Sequence, residues 1–256
     1  MPSSLLHSNQ IQKMMQRYLS DTSTIVNKSL ASLGKSNPFR TIYRISLATD
    51  AVLSKLSTKK LRPSLRAARS IVLRIPFIVA VRQPLVATID LRRFLELVFW
   101  TIYFTDHPIE WKRFQTNPSK GFSRDLDKPI SFCARRPLNF YINYAKEYMT
   151  NEPSGLSQKS IQKLRAIKEE LNATVHPSYI AKSQSRIPPV DSVSDTSLKE
   201  FIRTQRCVFS QASILLAAFN RKKFDLFQPI YRAHFDWLVG PATRKRIRKG
   251  PFGLSF

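Results

Sequence analysis

The sequence predicts an all-α protein: a bundle of seven to nine helices with little or no sheet, and a basic helical extension at the N-terminus. Three observations carry this. Apolar residues recur every three or four positions along most of the chain, the period of one helix face. Only six of the 256 residues are glycine, few for the turns of an all-β protein or the phosphate loops of a dinucleotide-binding sheet. The sixteen prolines fall mostly between apolar-periodic stretches, where they punctuate helices.

The elements follow in order. From His7 to about Leu33, the residues Ile11, Met14, Met15, Tyr18, Ile25 and Leu30 trace a helix, and Gly34 supplies its stop. A second helix is expected over 38–56, through Ile42, Ile45, Val52 and Leu56. A basic stretch, Lys55 to Arg74, leads into a third helix with Pro63 in its first turn. Pro76 and Pro84 are expected to break the apolar run. Residues 85–106 read as a long, mostly buried helix that His107-Pro108 ends, with a short turn over 109–115. Residues 116–136 read as an irregular loop. Helices are expected over 137–150 and 157–176, the latter with Ile161, Leu164, Ile167, Leu171 and Val175 on one face. A polar loop, 177–195, precedes Ser197-Leu198-Lys199-Glu200, whose capping-box form opens a helix to about Asn220. A last helix, 228–239, runs into Gly240-Pro241 and a basic tail. The expected organisation is a basic arm or subdomain over 1–83, a bundle over 84–240 and a flexible tail over 241–256.

Charge narrows the function classes. Forty-two Lys and Arg oppose seventeen Asp and Glu, a net charge of +25. A chain this basic repels itself unless something anionic sits against it. Hydrophobic residues at 43% supply a core, which excludes wholesale disorder. No stretch reaches the ~18 apolar residues of a membrane span. Cys133 and Cys207 fit no zinc spacing and are expected to be free thiols. There is no P-loop, no Rossmann glycine pattern and no Gly-flanked serine nucleophile, so no cofactor is expected. The expected location is a prokaryotic cytoplasm. The first 49 residues hold one acid, Asp21, and many serines, which leaves a mitochondrial transit peptide as the alternative. The start at Met1 favours the former expectation.

The positive charge is concentrated. Residues 1–89 carry fourteen basic residues and two acids. Lys55, Lys59, Arg62, Arg66 and Arg69 fall at i, i+4, i+7, i+11 and i+14, one face of a continuous helix, with Lys60 and Arg74 nearby. No acid lies between Val52 and Ile89. Such a row matches a track of phosphates. The tail places Arg244, Lys245, Arg246, Arg248 and Lys249 in six positions, a second grip on a polyanion. The alternative for the row is a solvated helix face; for the tail it is a disordered solubilising segment or a localisation signal, with acidic lipid as another target. Phe140, Tyr141, Tyr144 and Tyr148 could stack on bases, though helical spacing also suits a core. Asp106 with Glu110, or Asp125 with Asp127, sit in no recognisable ligand set, so no metal is expected.

Arg165, Glu169, Asn172 and His176 share one helix face beside the apolar stripe. A His at a helix C-terminus is favoured by the dipole, and it could equally serve as an acid or base in RNA cleavage. The phrase Leu171-Asn172-Ala173-Thr174-Val175-His176-Pro177-Ser178 resembles the end of the signature helix in HEPN-like domains. These are all-α domains of prokaryotic RNases, toxins and antiphage systems. Leu91 to Glu96 and Tyr103 to Pro108 resemble an earlier helix of such proteins, and the similarity spans about 80–240. It implies catalytic roles for Asn172 and His176. Leu171 stands where active members carry Arg, and no Arg lies four to six residues before any of the four histidines. The resemblance therefore implies a degenerate, structural or nucleic-acid-binding member. The expected function is non-enzymatic binding of RNA or DNA backbone within a ribonucleoprotein or antiphage defence complex, alongside other protein subunits. The alternatives are an RNase or toxin using His176, and a structural ribosomal-type protein.

Overall fold

The computed structural model describes residues 37–57, 62–80, 84–110, 137–175, 195–250 and 252–253, with isolated positions 16, 20, 24, 27 and 112. Helices in chain order are α1 (Asn37–Leu56), α2 (Arg62–Ala80), α3 (Pro84–Asp106), α4 (Leu138–Tyr148), α5 (Leu156–Val175), α6 (Asp195–Phe219), α7 (Arg221–Asp225), α8 (Pro229–Val239) and α9 (Pro241–Lys249). No strand occurs among the described residues, so the protein is an all-α bundle. None of its described helices is long and apolar enough to cross a membrane. Of the expected helix over 7–33, only positions 16, 20, 24 and 27 are described, and they are helical and exposed. The loop expected over 116–136 lies outside the described residues, as does the one over 177–195 apart from Asp195, which is helical.

Two helices organise the rest. α3 is apolar nearly all round and packs against α2, α4, α5 and α6. α6 lies beside it and also touches α1, α5, α7 and α8. Phe94 of α3 and Phe209 of α6 meet edge to face at 4.7 Å. α1 is amphipathic: Ile42, Ile45, Val52, Leu53 and Leu56 are buried while Arg40, Arg44 and Leu47 face out.

Polar contacts fix the helix ends and registers. Buried Gln205 of α6 donates from Nε2 to the Ile42 carbonyl at 3.3 Å and to Ser46 Oγ at 3.0 Å. Asn220 Nδ2 donates to the Leu56 carbonyl at 2.9 Å, satisfying an acceptor at the end of α1. One buried cluster runs from Ile42 through Leu238 to Phe252. The expected division near 83 therefore marks no break in the core among the described residues. α1 packs on helices more than 150 positions later, a pairing that local pattern does not reveal.

Three expectations change. Pro76 lies inside α2 rather than ending it. A mid-helix proline costs about 3 kcal/mol, and the flanking buried Val72, Ile75 and Val79 hold the helix through that defect. α6 begins at Asp195, so Ser197 sits in its first turn and not at its cap. The basic residues of the tail do not form a flexible arm. Residues 241–249 are helical, and Phe252 is buried against Phe224 at 5.5 Å.

Candidate nucleic-acid interface

The basic row lies where α1 ends and α2 begins. Arg66 is exposed and has no partner among the described residues. Arg69 is held: its Nε donates to Asp50 Oδ1 at 2.7 Å and its Nη2 to Oδ2 at 3.2 Å. Arg74 makes the same forked pair with buried Asp90, Nε to Oδ2 at 2.5 Å. The hydrogen bond to each carboxylate holds both guanidinium groups above the usual arginine range. The row is acid-free in sequence but not in space, because α1 and α3 flank α2 and each supplies a carboxylate. Lys55 Nζ sits 4.4 Å over the Tyr231 ring of α8. Lys59, Lys60 and the Arg62 side chain lie outside the described residues. Ser54, Ser57, Arg66 and Arg69 line a polar hollow of about 270 Å³.

The second basic group is α9. Arg246 Nη2 donates to the Ser154 carbonyl at 2.8 Å, and Arg248 Nη2 to Asp236 Oδ2 at 2.6 Å. Arg244, Lys245 and Lys249 are exposed and have no partner among the described residues. The turn after this helix adds to its docking. Phe252 is buried beside Phe224, and the Gly253 N–H donates to Glu152 Oε1 at 3.1 Å. Pro241 directly after Gly240 was the readable sign of a new helix.

A third basic group has no signature in the sequence. The guanidinium carbons of Arg44 of α1 and Arg206 of α6 stand 4.4 Å and 4.9 Å from the Trp237 ring centre. Arg206 Nη2 also donates to the Trp237 carbonyl at 3.1 Å. Beside them a groove of about 410 Å³ is lined by Arg203, Arg206, Cys207 and Ser210 of α6 and by Leu238 and Gly240. Burial pushes the Cys207 thiol up, against the pull of Lys163 and Arg203. Cys133 lies outside the described residues.

The Asn172 face forms a polar chain across three helices. Arg92 of α3 donates from Nε to Asn172 Oδ1 at 2.5 Å and pairs with Glu96 one turn on. Buried Lys168 donates to Asn139 Oδ1 of α4 at 2.9 Å and to Glu169 Oε1 at 2.8 Å. The Lys168 ammonium, helped by Asn172 and Arg165, holds the Glu169 carboxyl below its usual range. The structure thus joins Arg165, Glu169 and Asn172, while His176 lies outside the described residues. The sequence did not reveal Lys168, Asn139, or Arg92 as the partner of Asn172, since helix packing makes these contacts.

The aromatic residues belong to the core. Tyr141 is buried, and Tyr103 meets Phe140, Tyr141 and Tyr144 edge to face at 5.6, 5.2 and 5.0 Å. His107 stacks on Tyr103 at 4.1 Å and donates from Nδ1 to its carbonyl. Burial and a hydrogen bond to Asp106 push the Tyr144 hydroxyl well up. Asp106 and Glu110 accept the hydroxyls of Tyr144 and Tyr103. No group of three or more metal-ligating side chains occurs among the described residues, and Asp125 and Asp127 lie outside them.

No protein-family model, curated protein or solved structure matches this chain.

Proposed function

We propose that this chain is a non-enzymatic nucleic-acid-binding protein that grips the phosphate backbone. In this reading it works as a subunit of a ribonucleoprotein or antiphage defence complex in a prokaryotic cytoplasm. The supporting observation is the set of cations left without an internal partner among the described residues. Arg66 projects from α2, and Arg244, Lys245 and Lys249 from α9. They are carried on docked helices, in a chain of net charge +25. Cations on rigid elements lose less freedom when they meet a polyanion. No base-reading motif accompanies them, so readout is of backbone charge rather than of sequence.

The test is affinity for generic RNA and DNA against salt. With about six phosphate contacts the log–log slope for duplex DNA is about −5. A flat salt response, or no binding at low salt, overturns the reading. Charge reversal at Arg66, Lys245 and Lys249 weakens binding without changing sequence preference.

One observation supports a second reading, a HEPN-like ribonuclease. Arg92 stands on Asn172, so an arginine adjoins the motif asparagine although none precedes His176 in the sequence. RNA cleavage that disappears in His176→Ala, with binding intact, would replace the first reading by this one.

A further inference from the structure

We propose that the hollow between α1 and α2 is a built phosphate-binding site, with Arg66 and Ser57 as donors and Asp50 holding Arg69 in place. It rests on the nucleic-acid reading only for the source of the phosphate, not for the site itself. The hollow of about 270 Å³ is lined by two serines and two arginines. Its donors are free or fixed. Arg66 has its whole guanidinium fork available, and Ser57 has no partner among the described residues. Arg69 uses Nε and Nη2 on Asp50, which leaves Nη1 facing no acceptor among the described residues. Ser54 Oγ–H already donates to the Ala51 carbonyl at 2.7 Å, so Ser54 contributes shape rather than a proton.

Charge fits the same ligand. Two guanidinium groups and one carboxylate leave a single net positive charge, the match for a phosphodiester monoanion. A solvated charged face needs no carboxylate bracing one of its arginines. The Asp50 fork has a specific consequence: it fixes the plane of Arg69, and a fixed plane suits the two-pronged recognition of phosphate oxygens.

The test uses the full chain in two arms. In the first, inorganic phosphate and dimethyl phosphate are titrated and followed by ³¹P line broadening. Both are expected to broaden with the wild type, and neither with Arg66→Lys. Broadening by the diester assigns the site to backbone phosphate. Broadening by inorganic phosphate alone assigns it to free phosphate or a monoester. Broadening by neither overturns the proposal.

In the second arm, oligonucleotide affinity is compared at fixed salt. Arg66→Lys keeps the charge and loses the fork, and is expected to weaken binding about tenfold. Asp50→Asn removes a negative charge, so diffuse attraction would tighten binding. The built site instead loses its hold on Arg69 and weakens severalfold. Unchanged affinity in Arg66→Lys together with tighter binding in Asp50→Asn overturns the proposal. Arg66 is exposed, so its variant does not depend on refolding. Phosphate binding without oligonucleotide binding would remove the nucleic-acid reading and leave the site standing. The reverse would remove the site alone.

Discussion

Glu152 is 4% exposed and carries a charge into the turn between α4 and α5. Burial alone would raise its pKa. The Ser154 hydroxyl and the N–H groups of Ser157, Gly253 and Ser154 outweigh that and hold the carboxyl below its usual 4.5. A depressed carboxyl contributes stability that is present above the unfolded pKa and lost as pH falls through the folded one. The urea midpoint is therefore expected to drop below about pH 4.5. Glu152→Gln should flatten that acid limb and cost about 3 kcal/mol at neutral pH. Gly253 is held in the left-handed region at φ +84, with a would-be Cβ 2.9 Å from the Ala218 carbonyl oxygen. Gly253→Ala should destabilise by more than about 1 kcal/mol in the same urea titration. Arg66 and Arg74 offer a matched comparison. Replacement of either by Ala removes one charge, but only Arg74→Ala strands buried Asp90. Its cost should be about 2 kcal/mol, below that of a fully buried pair because Arg74 is itself half exposed. Arg66→Ala should leave stability unchanged.

At the scale of elements, the helical periods were legible and the contacts between helices were not. The ends of α1, α3 and α8 fall within a residue of their expected positions, because apolar spacing and proline placement are local properties. Pro76 was misread because its penalty is local while the packing that overrides it comes from other helices. α7 went unread because five residues carry too little periodicity. α9 is a polar helix with no buried residue of its own. Its Ile247 is only partly buried against the core, and its anchorage lies just beyond it in Phe252. Phe252→Ala is expected to cost about 3 kcal/mol or more. The diagnostic readout is hydrogen exchange: protection of the 241–249 amides should fall further than that of α3. Equal loss across both helices would mean that α9 docks independently of Phe252.

For the whole molecule the net charge of +25 sets the balance. Exposed ion pairs such as Arg221–Asp225 at 2.6 Å contribute about 0–1 kcal/mol each. Unbalanced cations on one compact body repel over distances comparable with the Debye length, about 10 Å at 0.1 M salt. Screening should therefore relieve more repulsion than attraction. The urea midpoint is expected to rise between low and moderate sodium chloride, the opposite of a protein held by surface ion pairs. A midpoint that falls with salt would show that the internal pairs outweigh the excess charge. A polyanion should stabilise the fold in the same direction, through both binding and charge neutralisation.

The sequence by itself determined the all-α class, most helix positions and the excess of positive charge, because periodicity, proline placement and composition are written locally. Tertiary structure decided which cations remain free. Asp50 and Asp90 reach the arginine row from neighbouring helices, so Arg69 and Arg74 are spoken for while Arg66 is not. It also turned the tail into a docked helix through Phe252 and Glu152. Asn172 meets Arg92 only because α3 and α5 pack, eighty residues apart in the chain. Charge is counted along a sequence, but its neutralisation depends on distance in space, and only the packed helices fix those distances.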